Sequence, residues 1–359
     1  MSSEAQQHEA HDSLGRRPAR PVRMLDVARA ADVSRATVSL VMTNSPLVAD
    51  HTREKVLKAA QELGYVYNRN AASFRTQRSY IIGLVVSDLR NPFFGEIAAT
   101  VQQFLSEQGY FVVVVNTLDN LEQQEHALTR LLESRADGVL LVPCPGSDVA
   151  RIREVNELMP VVLLTRELDA PEVSYVGSMD YDGGAAAARH LIEVHECRRL
   201  GFFGNTAPGS AGEKRFNGFR DTVEAAGGTL EPIWQGNHIE LTSQSYRAFR
   251  TLLETSAPPE GLVCNSDNVA YGALRALRDS GFMQISDCRV IGFDDVEQSA
   301  LWSPSLTSVS VSRADLGVSA AQTVLAAIRG ELKQPVVLRH QSQLQVRESC
   351  GCAMAGEIA

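Results

Sequence analysis

Residues 24–42 read MLDVARAADVSRATVSLVM and predict two short helices joined by a tight turn. The apolar residues of the first helix recur at the spacing of one helical face: Leu25, Val27, Ala28 and Ala31. Asp32 and Val33 interrupt this spacing, and Ser34 is a residue type that caps the start of a helix. A short helix, a tight turn and a serine-capped second helix together predict a helix-turn-helix.

A third amphipathic helix follows in DHTREKVLKAAQELG, residues 50–64. Its apolar residues are spaced to close a small core with the first two helices: Val56, Ala59, Ala60 and Leu63. Gly64 is a typical residue for ending a helix. The sequence therefore predicts a three-helix module of about 45 residues at this end of the chain.

In a helix-turn-helix, the second helix enters the major groove of DNA and its first residues reach the base edges. The residues expected to face DNA are Ser34, Arg35, Ala36, Thr37, Ser39 and Leu40. The guanidinium of Arg35 matches the acceptors of guanine, which makes this residue the main candidate for base recognition. The hydroxyl groups are suited to phosphate contacts, and the alternative is that they cap the helix or bond back to it.

The charge of the chain is unevenly distributed. The whole chain carries a net charge of −9, but residues 16–78 hold twelve Lys and Arg against five Asp and Glu. The remaining residues from 79 onward are acidic, with a net charge of −13. A basic module on an acidic body favours binding to a polyanion through phosphate contacts over a merely solvated run of charge.

From Tyr80 onward, strand-like apolar runs alternate with amphipathic helices. The first series begins with YIIGLVVS and a helix whose apolar face holds Phe94, Ile97, Ala98, Val101 and Leu105. A second series is expected to begin near Ser174 and to end with LTSVSV and a late helix. This alternation predicts an α/β body of two lobes, each a doubly wound parallel sheet, with ligands bound in the cleft beyond the strand ends.

Several classes of protein are excluded by composition and motif. The chain has 359 residues, 44% apolar and 21% charged, which is typical of a globular protein of more than one domain. No apolar run reaches membrane-spanning length, and the polar N-terminus is unlike a secretory signal, so a cytoplasmic location is expected. The six cysteines lack metal or disulfide spacing along the sequence, and no catalytic motif is present. We therefore expect no enzyme activity, no cofactor and no metal site.

The head module resembles the DNA-binding head of the lactose-repressor (LacI/GalR) family of bacterial transcriptional regulators. The matching residues are Asp26, Val27, Ala28, Ala31, Val33, Ser34, Thr37, Val38 and Ser39, then Thr52, Arg53, Val56, Ala59, Leu63, Gly64, Tyr65 and Asn68. The resemblance extends from about residue 22 to about residue 350. Leu40 stands where the family usually has arginine, so the DNA sequence recognised is expected to differ from the family consensus at one position.

The resemblance also assigns roles to the segment NRNAASFRTQR, residues 68–78. In the family this segment forms a hinge helix on DNA, and its apolar side chain wedges into the minor groove. Asn68, Ala71 and Phe74 fall on the contact positions, with Phe74 where leucine is usual. The alternative is that Phe74 packs on the body.

In the body, the resemblance implies a periplasmic-binding-protein-like fold that closes its lobes around a small effector. The residues expected to contact the effector are Asn91, Phe93, Phe94, Thr165, Arg166, Arg215, Ser266, Asp267 and Asp294. Thr165 stands where sugar binders often have aspartate, and two arginines are present. This pocket is therefore expected to favour an acidic sugar or sugar phosphate, with a free sugar or a purine as open alternatives.

The resemblance implies a homodimeric regulator, by default a repressor, that binds a near-palindromic double-stranded DNA operator and no membrane. The alternative is a cytoplasmic solute-binding or sugar-modifying protein with an accessory nucleic-acid-binding head. Whether the effector releases or promotes DNA binding stays open. The expected boundaries are 1–21 for a disordered tail, 22–68 for the helix-turn-helix domain, 69–79 for the hinge, 80–350 for the effector-binding and dimerisation domain, and 351–359 for a C-terminal tail.

Overall fold

The computed structural model of the chain describes residues 22–42, 45–67, 78–231 and 239–352. The chain divides into two compact units, residues 1–77 and residues 78–359. Across the described ranges, no helix combines the length and apolar character needed to cross a membrane. The predicted hinge contacts Asn68, Ala71 and Phe74 lie outside these ranges, and so does most of the hinge segment.

In residues 22–42 and 45–67, the head unit contains three helices: α1 (Met24–Ala30), α2 (Arg35–Met42) and α3 (Asp50–Leu63). Asp32 adopts a left-handed conformation (φ 47°) in the short turn between α1 and α2. The predicted helix-turn-helix and third helix are thus confirmed. The small core of the head unit consists of buried valine and alanine side chains: Val27, Ala28, Ala31, Val38, Val41, Val56, Ala59 and Ala60.

Two leucines are exposed, although the sequence predicts Leu25 on the apolar face of the first helix and Leu63 in the core. Leu25 is 47% exposed and Leu63 is 38% exposed. Leu25 lies in the first turn of α1, and Leu63 is the last residue of α3. At these helix ends the small three-helix core no longer covers the side chains, so the helical spacing alone placed them wrongly.

The body contains two six-stranded sheets within the described residues. The first sheet holds β1 (Ile81–Val86), β2 (Phe111–Asn116), β3 (Gly138–Leu141), β4 (Val161–Leu164), β5 (Ser174–Ser178) and β11 (Val337–His340). The second holds β6 (Arg199–Phe203), β7 (Thr229–Leu230), β8 (Gly261–Cys264), β9 (Arg289–Asp294), β10 (Thr307–Ser310) and β12 (Gln343–Gln345).

The strand orders are β11-β5-β4-β3-β1-β2 and β12-β10-β9-β8-β6-β7. Every pairing is parallel except that of β10 with β12, which is antiparallel. The central strands β3, β4 and β8 are buried along their whole length, as expected where helices cover both faces of a sheet. The predicted pair of parallel, doubly wound lobes is therefore confirmed.

Nine helices of the body are described: α4 (Pro92–Glu107), α5 (Leu121–Glu133), α6 (Val149–Leu158), α7 (Asp180–Glu193), α8 (Ala211–Ala225), α9 (Thr242–Leu253), α10 (Asp267–Asp279), α11 (Gln298–Leu301) and α12 (Arg313–Ile328). The five apolar residues expected on one face of α4 are all buried. Their 3.6-residue spacing matches the buried stripe of a helix that covers a sheet.

Two elements assigned to the second lobe by their order in the sequence belong to the first. The strand β5 pairs with β4 in the first sheet, and the late helix α12 packs against α4 and over β3, β4 and β5. The chain crosses between the lobes after β5, after β10 and after β11. Sequence order could not reveal this exchange, because the local patterns of strands and helices are alike in both lobes.

Candidate functional site

The helix α2 presents one apolar face to the head core and another face to solvent. Val38 and Val41 are buried, whereas Arg35, Ala36 and Leu40 are exposed. Arg35 forms no hydrogen bond or ion pair with any residue in the described part of the head. Its guanidinium is therefore available to a ligand from solvent.

The hydroxyl groups at the start of α2 bond within the helix. The Oγ atom of Ser34 accepts a hydrogen bond of 3.0 Å from the backbone N–H of Thr37, which is the predicted cap. The same Oγ lies 2.9 Å from the hydroxyl oxygen of Thr37. A hydroxyl can donate and accept at once, so this cap leaves capacity for a phosphate contact.

In the body, the loops that follow the strands of both sheets enclose two adjoining cavities of about 330 and about 50 Å³. Eight of the nine predicted effector contacts line the smaller cavity: Asn91, Phe93, Phe94, Thr165, Arg166, Arg215, Ser266 and Asp294. Asn91, Phe94 and Arg166 also line the larger one. Parallel strands from both lobes point their carboxyl ends at this cleft, which brings residues distant in sequence together.

Three polar contacts join the two lobes around the cleft. The Nδ2 atom of Asn91 donates a hydrogen bond of 3.1 Å to Oδ2 of Asp294. Arg313, at the start of α12, donates to the backbone carbonyl of the same aspartate. Lys214 and Glu167 form a salt bridge of 2.6 Å across the lobes. The relative position of the lobes therefore depends on side chains at the rim and floor of the cleft.

Arg215 is buried and bonded on several sides. Its Nε donates to Oδ1 of Asp180 at 2.8 Å, and its Nη1 lies 3.3 Å from Oδ1 of Asp294. The guanidinium also stacks 3.7 Å from the ring centroid of Phe293. Removing one partner of such a buried network leaves an uncompensated charge, so Arg215 is first of all a structural element of the second lobe.

Arg166 is also neutralised within the cleft. Its two terminal nitrogens donate to the two carboxylate oxygens of Asp119 at 2.5 and 2.9 Å, in a bidentate pair. Nη1 in addition donates to the carbonyl of Pro143 at 3.2 Å. The exposed Arg90 pairs in the same manner with Asp88 at 2.7 Å. Each arginine that lines the cavities thus has a carboxylate partner.

Sequence reasoning missed one acid of the cleft. Glu240 lines both cavities and accepts a hydrogen bond of 2.7 Å from Nδ2 of Asn205. Burial raises the pKa of Glu240 above its ordinary value, although Asn205 opposes the shift. No cation pairs with Glu240 within the described ranges. The region around Ile239 carries no strand or helix pattern, and its position after the second-lobe strand β7 was the only available signal.

Asp267 is placed away from both cavities. Its Oδ1 accepts from the hydroxyl of Ser308 at 2.6 Å. Its Oδ2 accepts from the hydroxyl of Ser299 at 2.7 Å and from the N–H of Val296 at 2.9 Å. The preceding residue, Ser266, faces the smaller cavity and caps α10. Successive residues at a strand end point in different directions, and here the aspartate points into the core.

The backbone is in the left-handed region at several of these strand ends. Positive φ values occur at Thr165 (60°), Asp119 (54°) and Asp294 (104°), none of which is glycine. Such conformations are costly for residues with a side chain and cluster at ligand-binding sites. The surrounding hydrogen bonds hold these residues with their side chains turned toward the cleft.

Comparison with known families decides the identity of both units. Residues 23–68 match the family described as bacterial regulatory proteins of the lacI family. Residues 79–348 match the family described as periplasmic binding proteins and sugar binding domain of the LacI family. The chain belongs to the LacI family.

Individual relatives in the LacI family are similar to this chain along nearly its whole length. The HTH-type transcriptional repressor PurR of Aliivibrio fischeri (strain MJ11) is 32% identical, over 90% of this chain and 97% of its own length. A solved complex of the transcriptional regulator CelR with cellobiose is 31% identical, with a TM-score of 0.69, covering 92% of this chain and all of that one. The lac repressor dimer bound to operator and the anti-inducer ONPF is 25% identical, with a TM-score of 0.80, covering 92% and 99%.

Membership in the LacI family settles the class of function. The chain is a DNA-binding transcriptional regulator of the repressor type, controlled by a small-molecule effector. It is not an enzyme, because the family consists of regulators. Membership in this family of regulators also excludes the alternative of a solute-binding or sugar-modifying protein with an accessory nucleic-acid-binding head.

Proposed function

We propose that this chain is a cytoplasmic repressor that binds a near-palindromic operator as a homodimer and responds to an uncharged sugar in the cleft. Two copies of α2 would read two half-sites, because the symmetry of the operator mirrors that of the dimer. The lac repressor complex, solved as a dimer bound to operator, supports this arrangement. In each copy, Arg35 would contact a base, and Ser34, Ala36, Thr37, Ser39 and Leu40 would adjoin the DNA.

The proposal of an uncharged effector rests on the charge balance of the cleft. Arg90, Arg166 and Arg215 are each paired with a carboxylate, so no arginine lining the cavities within the described ranges is left to neutralise an anion. Glu240 adds a half-buried acid that forms no salt bridge among the described residues. An acidic sugar or sugar phosphate would meet net negative charge, whereas the hydroxyl groups of an uncharged sugar can donate to these carboxylates.

The shape of the cleft supports a small ligand with an apolar face. The larger cavity, about 330 Å³, lies at the small end of the range for ligand pockets. Phe94 lines both cavities and lies edge-on to Phe93 at 5.2 Å between ring centroids, so it offers an apolar surface to a sugar ring. Asn91, Thr165, Ser266 and Asp294 line the adjoining smaller cavity and would supply polar groups to the sugar. The CelR structure, solved with cellobiose, supports the same class.

Regulation requires that the effector bind two arrangements of the lobes with different affinity. We propose that the effector adjusts the contacts between Asn91 and Asp294 and between Lys214 and Glu167. The resulting movement of the first lobe would order or release the hinge, in which Asn68, Ala71 and Phe74 would contact the minor groove. Two arrangements of the lobes that differ in effector affinity and in the state of the hinge are sufficient to couple effector binding to operator binding.

The effector class can be tested by a thermal-shift screen of the full-length protein. The panel holds uncharged mono- and disaccharides, their uronic acids, their phosphates and purines. At 100 times its dissociation constant, an effector stabilises the folded state by about 2.7 kcal/mol, which gives a clear increase in melting temperature. We expect hits among uncharged sugars. A hit confined to sugar phosphates or purines would overturn the proposed class while leaving the regulator itself intact.

The effect on DNA is then measured by fluorescence anisotropy with a labelled operator, with and without the hit from the screen. A change of at least fivefold in operator affinity is expected from a coupling energy of about 1 kcal/mol or more. An effector that binds the protein and leaves operator affinity unchanged would contradict the proposed coupling.

A further inference from the structure

Two histidines and two cysteines from distant parts of the chain meet on the second lobe. Their ligand atoms all lie within 4.8 Å of one another: one ring nitrogen each of His190 and His195, and the sulfurs of Cys350 and Cys352. The Nε2 atom of His190 lies 3.3 Å from Sγ of Cys350 and 3.7 Å from Sγ of Cys352. The Nε2 atom of His195 lies 3.3 Å from Sγ of Cys352.

These separations are close to the edges of a zinc coordination tetrahedron. Zinc–sulfur bonds of about 2.3 Å and zinc–nitrogen bonds of about 2.0–2.1 Å give nitrogen–sulfur edges of about 3.5 Å. The three measured nitrogen–sulfur distances bracket this value. Two thiolates and two imidazoles also form one of the ligand sets found in structural zinc sites, and the pair of thiolates balances the charge of Zn²⁺. We propose that His190, His195, Cys350 and Cys352 bind one Zn²⁺ ion as a structural site.

The four ligands come from two packed segments of the chain, the end of α7 and the turn at residues 348–352. His190 is in the last turn of α7, and His195 follows in the loop after that helix. Cys350 is fully buried at the end of a short 3₁₀ turn, Glu348–Cys350. That turn is anchored by Ser349, whose hydroxyl donates to the carbonyl of Val290 at 2.6 Å and accepts from the N–H of Thr307 at 2.8 Å.

Gly351 brings the second cysteine back to the same place. It adopts a φ of 94° between the two cysteines, a conformation that side chains rarely permit. A Cβ atom at this position would also lie 3.4 Å from Nε of Arg289 and 3.7 Å from the His195 ring. The sharp turn at Gly351 therefore lets Cys350 and Cys352 point their sulfurs at the same pair of histidines.

The site is partly open, so an ion can enter it. Cys350 is buried, whereas His190, His195 and Cys352 are half-buried. A bound ion would tie α7 to the last described turn of the chain, about 160 residues later. The site lies entirely within the second lobe, so the proposal does not depend on the identity of the effector or of the operator.

The metal content of the full-length protein, purified without a metal-affinity step, tests the proposal. We expect about one zinc per chain by elemental analysis. Replacement by Co²⁺ after chelation should give the intense visible bands of tetrahedral cobalt together with a thiolate-to-cobalt charge-transfer band. A zinc content below about one tenth per chain, combined with failure of the metal-free protein to take Zn²⁺ from a chromophoric chelator, would overturn the proposal.

Matched variants locate the ion. Cys352→Ser and His195→Asn should each reduce zinc retention at least tenfold, whereas His126→Asn, a histidine outside the cluster, should retain it. His8→Ala combined with His11→Ala controls for adventitious binding by the N-terminal segment and should also retain the ion. Zinc that stays in both cluster variants, or that leaves with His8 and His11, would refute this location. If a cluster variant fails to fold, the thiolate-to-cobalt band of the unmodified protein shows whether cysteine sulfurs bind the ion, and its absence would contradict the proposed site.

Discussion

The amide of Asn91 and the carboxylate of Asp294 are hydrogen-bonded across the two lobes, with 3.1 Å between Nδ2 and Oδ2. Asn91 is also the N-cap of α4, where its Oδ1 accepts from the N–H of Phe93 at 3.1 Å. Asp294 ends β9 and lies 3.3 Å from Arg215. A single pair of side chains thus links a helix start on one lobe to a buried ionic network on the other.

Replacement of Asn91 by serine separates these two roles. A serine can still cap α4, but it cannot reach across to Asp294 as the amide does. Loss of a hydrogen bond to a charged group costs about 1.5 kcal/mol, so we expect effector affinity to fall about tenfold in calorimetric titration. Asp148→Ser, which alters the cap of α6 and lines neither cavity, is the control. Equal affinity of the Asn91 variant and the unmodified protein would exclude a role for this contact in effector binding.

Arg35→Ala should relax base preference at one symmetric position of the operator. A bidentate arginine–guanine contact discriminates against the wrong base by about 1–3 kcal/mol, which is roughly 5- to 150-fold in affinity. Selection of binding sites from a random DNA library measures the preference directly. Lys58→Ala, on the exposed face of α3, should leave the preference unchanged. An unaltered preference in Arg35→Ala would assign base recognition to other residues of α2.

Phe74→Ala should weaken operator binding without changing effector affinity. An apolar wedge in the minor groove unstacks a base step and bends the DNA, so its loss removes contacts made only in the complex. We expect operator affinity to fall at least tenfold in anisotropy titrations. Phe111→Ala, which removes an aromatic ring that is 65% exposed on the body, serves as the control. If effector affinity fell instead, Phe74 would belong to the packing of the body.

The carboxyl group of Asp267 makes stability depend on pH. Burial raises the pKa of Asp267 to about 7, against about 3.9 for an aspartate in an unfolded chain. At pH values between these two pKa values, Asp267 is protonated in the folded protein and ionised in the unfolded chain. Raising the pH through this window therefore lowers the free energy of unfolding, and the dependence ends above about pH 7.

Asp267→Asn isolates this contribution because an amide does not titrate. We expect the stability of the unmodified protein relative to the variant to fall from about pH 5 to about pH 7 and to level off by about pH 8. Urea unfolding at each pH measures both free energies. A difference that stays constant across this range would show that the hydrogen bonds from Ser308, Ser299 and Val296 keep the carboxylate ionised.

The sequence by itself determined the elements and the class of the site. The spacing of apolar residues on α4 predicted the face that is buried, because burial on a helix repeats every 3.6 residues. The ends of the predicted strands indicated the position of the cleft, because parallel strands place their carboxyl ends at one edge of a sheet. Together with the resemblance to the LacI family, these strand ends allowed Asn91, Phe94, Arg166 and five further residues that line the smaller cavity to be predicted.

Only the tertiary structure decided how the charges in the cleft are paired and which elements share a lobe. Arg166 and Asp119 are 47 residues apart, and their bidentate pair turns an apparent anion site into a neutral one. His190 and Cys350 are 160 residues apart and lie 3.3 Å from each other. Local patterns record which face of an element is covered, but not which distant element covers it. That choice depends on the crossings of the chain between the two lobes.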